Sequence, residues 1–288
     1  SGMHAQAASE PDFAHIRPPY GFLHQGNQDE VEFAANAASW LDDKINEIGA
    51  SNVAAFVAEP IQGAGGVIVP PAGYFKHIQE ICRRHDILFV ADEVITGFGR
   101  TGQWFASQTM ELEPDMMALA KGLTSGYVPM SAVMVGDRVA NKLIADGGEF
   151  YHGFTYSGHP VAAAVALANL ELIEREDMIT RVREDTGPYL AEALAPLAEH
   201  RIVGEIRTFG VLAAIELVKS KDGPEMFEDT GATGVICRDH AINRGLMMRA
   251  VRDAMILSPA LTYSRADIDE TVRIAAQALD ATADQLGL

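Results

Sequence analysis

Two charged residues stand where apolar runs end: Asp92 follows residues 87–91, and Lys121 follows residues 116–120. A charge at the end of a buried run is costly unless it is paired or exposed. One reading is that each residue marks where a strand meets water. The other is chemical, because ligands of open α/β sheets sit at the carboxyl ends of the strands. A lysine in a partly desolvated site gives up its proton more readily and attacks an aldehyde as a free amine. An aspartate can bind the protonated ring nitrogen of pyridoxal 5′-phosphate and keep the ring an electron sink. Twenty-nine residues separate the pair, which suits neighbouring parallel strands joined by a crossover. Pattern alone leaves both readings open.

Three loops carry further signals. Residues 97–102 match G-x-G-x-x-G, but five residues separate them from the preceding strand. No acidic strand end follows at the ribose-binding distance, so a tight loop is the better reading. Gln62-Gly63-Ala64-Gly65-Gly66, after Glu59-Pro60, is a glycine-rich turn suited to positive φ. Residues 151–160 form a hydroxyl-rich approach to a helix, where phosphate could bind. Ordinary capping by Ser157 or Thr155 explains that loop equally well. No H-E-x-x-H, P-loop or G-x-S-x-G sequence occurs, and the nine histidines show no ligand spacing. No metal site is expected.

The elements that must position these residues alternate. Residues 1–30 read as an irregular entry. A helix is predicted over 31–48, with Val31, Ala34, Ala35, Ala38, Leu41 and Ile45 on one face and a stop at Gly49. Residues 53–58 read as a buried strand. Pro70-Pro71 opens a helix through Arg84, with Phe75, Ile78, Ile81 and Cys82 inward. A second buried strand follows at 87–91, then short apolar strand-like runs at 116–120 and 132–135, with a helix-length stretch after the glycine-rich turn. An alanine-rich helix spans 160–173. Beyond 195 the pattern mixes strands (202–206, 211–217), a helix through the 230s and 240s, and a terminal helix from Ser264 or Arg265. This predicts an α/β fold with a largely parallel sheet and a smaller C-terminal α+β domain.

Composition narrows the partners. The 288 residues carry 22 Lys+Arg against 40 Asp+Glu, a formal charge of −18. That charge repels phosphate backbones and anionic lipid, so neither nucleic acid nor a membrane is an expected partner. The longest apolar run, residues 161–168, is too short for a membrane helix. Cys82 and Cys237 give no disulfide framework or metal spacing, and Ser1-Gly2-Met3-His4 opens no secretory signal. A cytoplasmic protein with two reduced thiols is expected.

Four segments, 59–66, 91–102, 120–127 and 153–160, resemble in order the class III aminotransferases, pyridoxal-phosphate enzymes of fold type I. The similarity covers nearly the whole chain and is greatest to the ω-amine:pyruvate branch, which includes polyamine–pyruvate enzymes. It implies that Lys121 forms the Schiff base with the cofactor and then moves the proton as general acid and base. It implies that Asp92 pairs with the pyridine nitrogen, Val94 packs on the ring, and Glu59 sits close behind the cofactor and helps hold the surroundings of Asp92. Thr155 and the Phe154 backbone would bind cofactor phosphate from a neighbouring subunit, making the working unit a homodimer or a dimer of dimers. Arg249 matches the mobile arginine that receives a keto-acid carboxylate. The ω-amino-acid branch has a glutamate where this chain has Ala64, which favours the amine:pyruvate branch.

The resemblance also implies that the family's N-terminal half, with its main phosphate-binding turn, is missing. Residues 1–165 would be the C-terminal part of the cofactor-binding large domain, 166–195 a connecting helix and 196–288 the small domain. The expected activity moves an amino group from a primary amine, such as putrescine, or an ω-amino acid to a keto acid, chiefly pyruvate. The alternatives are an aminomutase with the same cofactor, or an inactive fragment that serves as a dimerisation partner.

Overall fold

The structure, a computed structural model, describes residues 13–146, 150–221 and 225–288. The first residues, read above as free of a secretory signal, lie outside the described ones. The chain divides into two compact units, Ser1–Phe56 with Pro70–Leu88, and Val57–Val69 with Phe89–Leu288.

The first unit is built on helices α1 (Glu30–Ile48) and α2 (Tyr74–Arg84), which pack together. Asp29 caps α1 by accepting the Glu32 N–H, and Gly49, at φ 88°, ends it. The buried stripe is Phe33, Ala34, Ala37, Ala38, Leu41 and Ile45. Val31 and Ala35, predicted on that face, are exposed. Phe33 takes the core position and turns the stripe away from both. α2 starts at Tyr74 rather than at the Pro70-Pro71 pair, because Gly73 in the left-handed region sets its N-terminus. Asp42 of α1 accepts from His85 Nε2 at 2.6 Å and pairs with Arg84 at 2.7 Å, which holds its carboxyl below the usual range.

Strands β1 (Ala55–Ala58), β2 (Leu88–Asp92), β3 (Met116–Leu119) and β4 (Ala132–Val135) form one sheet in that order. β2 and β3 run parallel and β4 returns antiparallel, an edge often added to parallel sheets. β1 is half-buried rather than buried, with Val57 59% exposed, and β2 alternates instead of burying both faces. The helix-length stretch predicted after the glycine-rich turn shrinks to Ala106–Thr109. α3 (Asp137–Asp146), absent from the sequence reading, follows β4.

α4 (Pro160–Arg175) carries the alanine-rich segment, and α5 (Gly187–Leu194) follows it after shorter turns. The second sheet, β5 (Val203–Phe209), β6 (Leu212–Leu217), β8 (Ala254–Leu257) and β7 (Arg249–Val251) in that order, is antiparallel throughout. α6 (Ala232–Ile242) and α7 (Arg265–Leu286) accompany it. Ser264 caps α7 in a reciprocal box with Asp267. Leu190, Leu194, Ile215, Leu217, Met255 and Leu279 build a shared core with this sheet. Cys82 and Cys237 are buried and free, and burial pushes the Cys237 thiol up to about 11.

Candidate functional site

Lys121 sits two residues past the end of β3, at the start of the turn Lys121–Leu123. Its φ is +42°, a left-handed conformation that a non-glycine residue adopts at a cost of about 1 kcal/mol or more. Neighbouring groups hold the turn. Asn169 of α4 donates from Nδ2 to the carbonyls of Gly122 at 2.8 Å and Leu123 at 3.1 Å. Ser125 Oγ donates to Asn169 Oδ1 at 2.7 Å. A Cβ on Gly122 would lie 2.9 Å from that of Phe98, so this glycine is required by close approach.

Asp92 ends β2 and pairs in register with Ala118 of β3, three residues before Lys121. Its carboxylate accepts the Val94 N–H at 3.0 Å, which fixes the turn leaving the strand. Glu93 goes the other way, since successive residues leaving a strand face opposite sides. It is fully buried and accepts from Ala106 N–H at 3.1 Å and from both Ser107 N–H and Ser107 Oγ at 2.6 Å. Thr96 Oγ1 also donates to it. Glu93 thereby ties down both ends of the 97–102 loop, whose Gly99 and Gly102 have positive φ.

Glu59 lies just past β1 and accepts the Gly63 N–H at 2.9 Å. Burial raises its pKa, the Gly63 bond opposes the rise, Asp92 adds to it and Lys121 reduces it. Glu59, Asp92 and Lys121 therefore share one electrostatic environment.

A cavity of about 880 Å³ is lined by Lys121, Val94, Ala64, Tyr127, Arg100 and Arg249, among others. Among the described residues no carboxylate lines it, although the whole chain carries a large negative charge. Asp92 and Glu59 stand outside that lining. Arg249 opens β7 with an exposed side chain. Burial pushes the Arg100 pKa down to about 10, which leaves it a cation at neutral pH, and it donates to the Pro259 carbonyl.

Phe154 and Thr155 do not line this cavity. They are exposed, Phe154 by 75%, on the loop before α4. Ser157 Oγ accepts the Phe154 N–H at 3.0 Å, and the N-cap of α4 is His159 with no side-chain cap, so neither Ser157 nor Thr155 caps the helix. Among the described residues, no group of three or more His, Cys, Asp or Glu could hold a metal ion, and no helix is long and apolar enough to cross a membrane.

Sequence reasoning missed Glu93 and Arg207. Glu93 was visible only as the neighbour of Asp92. Arg207 on β5 is 7% exposed and lies between Glu205, at 2.6 Å, and Glu216, at 2.7 Å. The one available signal was a lone arginine inside a strand with a carboxylate two residues before it.

A profile of the family "Aminotransferase class-III" matches residues 2–279. The putrescine–pyruvate aminotransferase of Pseudomonas aeruginosa is 53% identical over 273 residues, covering 95% of this chain and 59% of that protein. Vanillin aminotransferase of Capsicum annuum is 40% identical, covering 97% of this chain and 62% of that protein. The ω-transaminase of Pseudomonas jessenii in complex with PMP superposes with a TM-score of 0.92 at 40% identity, covering 98% of this chain and 64% of that one. The chain thus spans about three-fifths of the length of the curated relatives it matches.

Proposed function

Since the chain belongs to the class III aminotransferases and has the fold of their type I transaminases, we propose that it carries the lysine-bearing part of an enzyme that moves an amino group from a primary amine to pyruvate. One observation carries this reading: Lys121 lines the same cavity as Arg249, while Asp92 stands on the adjacent strand within its electrostatic reach of Glu59.

The residues fit pyridoxal 5′-phosphate at its reactive end. A lysine on the cavity wall and a carboxylate that ends the adjacent strand are the groups the cofactor needs there. When bound, it supplies an electron sink for the carbon that bears the amino group. Lys121 would hold the cofactor and move a proton at that carbon. Asp92 would accept a hydrogen bond from the protonated ring nitrogen and keep it charged. Val94 would pack on the ring, and Glu59 would hold the local charge around Asp92. Arg249 would pair with the carboxylate of the keto acid and, being exposed, would lie aside for an amine without one.

We assign Thr155 and the Phe154 backbone to the cofactor phosphate of a second subunit, which makes the working unit a homodimer. Their exposure on a loop outside the cavity supports that assignment. The division into a large domain to residue 165, a connection over 166–195 and a small domain from 196 is proposed on the two separate sheets. The buried free thiols support a reducing, cytoplasmic setting.

The test uses the full-length protein. Borohydride reduction followed by peptide mass analysis should leave a cofactor-sized label on Lys121, and incubation with putrescine and pyruvate should yield alanine. A label elsewhere would remove Lys121 from its role. A labelled protein that makes no alanine from any amine would remove the transfer reaction and leave the aminomutase.

A further inference from the structure

The turn that bears Ala64 receives polar contacts from the second sheet through the buried side chain of Arg207. Arg207 Nε donates to the carbonyls of Gly66 and Val67, each at 3.2 Å, and Nη2 donates to Gly66 at 2.7 Å. The remaining edge of the guanidinium binds Glu205 and Glu216, the latter also buried. Bidentate, charge-assisted bonding of this kind fixes direction as well as distance.

The turn needs that hold. Val67 has φ +51°, a costly conformation for a β-branched residue. Such strain persists only where the surroundings over-determine it. Ile61, Leu212, Ala214 and Ile256 enclose the Val67 side chain, and Gln62 and Ile68 close the turn with a two-way backbone bridge. Arg207 supplies the polar part of this enclosure. Gly66 has φ +125°, a conformation that favours glycine, and this orients its carbonyl toward the guanidinium.

The turn has two working ends. Gly63, Ala64 and Val67 line the cavity shared with Arg249 and Lys121. The Gly63 N–H is the bond received by Glu59, the carboxylate that senses Asp92 and Lys121. A displacement of the Gly66 and Val67 carbonyls would move both ends.

We propose that Arg207 is a positioning residue for the substrate end of the cavity, setting through Gly66 and Val67 where Ala64 stands and where Gly63 meets Glu59. This rests on the aminotransferase reading for its kinetic consequences but not for its structural one. Arg207 touches no reacting atom, so its effect is on the binding of amine and keto acid more than on the proton transfer itself.

The test compares Arg207→Lys with Glu205→Gln in the full-length protein. The lysine keeps the charge between the carboxylates but, with three donors on one nitrogen, cannot reproduce the planar fork that serves both carbonyls and both carboxylates together. The glutamine weakens the same ion pair without touching the turn. Arg207→Lys is expected to raise the KM for pyruvate about tenfold with kcat changed less than about threefold. It should also move the acid limb of the pH profile to higher pH, because a displaced Gly63 N–H no longer lowers the Glu59 pKa. Glu205→Gln should leave KM and the pH profile as they are. Glu216→Gln, kept in case Arg207→Lys folds poorly, loosens Nη2, the nitrogen that also binds Gly66, and should shift KM in the same direction by about two- to threefold. A lower melting temperature with KM unchanged, or equal KM changes in Arg207→Lys and Glu205→Gln, would overturn the proposal.

Hydrogen exchange of the amides at 63–68 is read in parallel and needs no turnover. Faster exchange there in Arg207→Lys alone is expected, and unchanged exchange overturns the proposal. If the wild-type protein transfers no amino group, the aminotransferase reading fails and the exchange result alone decides the role of Arg207.

Discussion

Two loops that carry the family's motifs are treated in opposite ways by this fold. The turn at 59–67 is enclosed: Glu59 binds Gly63, Arg207 binds Gly66 and Val67, and three of its residues face the cavity. The loop before α4 is open, with Phe154 and Thr155 exposed and only local bonds exchanged between Phe154 and Ser157. Enclosure marks residues that act within their own chain. Exposure of motif residues, with no place on the cavity, is what a loop acting on another chain would show. Mutations on the two sides should therefore differ in kind, and the difference can be tested.

The largest effect is expected at Lys121. Lys121→Ala should lower kcat by at least about a thousandfold, the usual scale for losing a proton-transferring group that also anchors the cofactor. Steady-state rates with added cofactor check this, and a variant turning over at the normal rate would end the assignment. Thr155→Ala should instead weaken cofactor binding. The two variants can be co-expressed at cofactor levels too low to fill the Thr155→Ala sites. If Thr155 serves the partner's site, mixed dimers hold one intact site each, and roughly a quarter of wild-type activity returns by random pairing. If Thr155 serves its own chain, nothing returns, and the contrast between the two loops disappears.

A second effect is structural and belongs to the enclosed side. Glu93→Ala would leave the N–H groups of Ala106 and Ser107 and two hydroxyls without their shared acceptor. Each unpaired buried donor costs about 1–3 kcal/mol, so a loss near 3 kcal/mol is expected after partial relaxation. Denaturant unfolding measures it. A loss below about 0.5 kcal/mol, the scale of an ordinary surface change, would show that the loop does not depend on Glu93.

The same contrast explains what was legible in the sequence. Asp92 and Lys121 stood out because a charge ends an apolar run, and that pattern survives without knowledge of neighbours. β2, β3, β4, α4 and α7 were legible for the same local reason: β-rich runs, a helical period and, for α7, a serine cap. Glu93 and Arg207 were not, because their meaning lies in backbone groups more than ten and more than a hundred residues away. On α1 the period found Ala34, Ala38, Leu41 and Ile45 but misplaced Val31 and Ala35, because Phe33 outcompetes Val31 for the core, a choice made by packing rather than by period. The loop at 151–160 was legible as a hydroxyl-rich candidate for phosphate, but the choice of Phe154 and Thr155 within it came from family resemblance.

The smallest expected effect separates burial from function at Glu59. Burial is the largest influence on its carboxyl and raises the pKa, so the folded state favours the protonated form. A raised carboxyl pKa contributes stability at pH below the unfolded value, and that stability is lost as pH rises through the folded value. Glu59→Gln keeps an oxygen to accept the Gly63 N–H but carries no charge. The variant should therefore match the wild type in acid and become the more stable of the two as pH climbs above the carboxylate range. Melting temperatures across pH 4–8 check this, with Asp92 and Lys121 left intact. If the variant is instead less stable at neutral pH, the attraction between Glu59 and Lys121 outweighs desolvation. Glu59 would then be a charge partner of the lysine rather than a group held near it at a cost, and that outcome would also move it from the support of Asp92 to the direct tuning of Lys121.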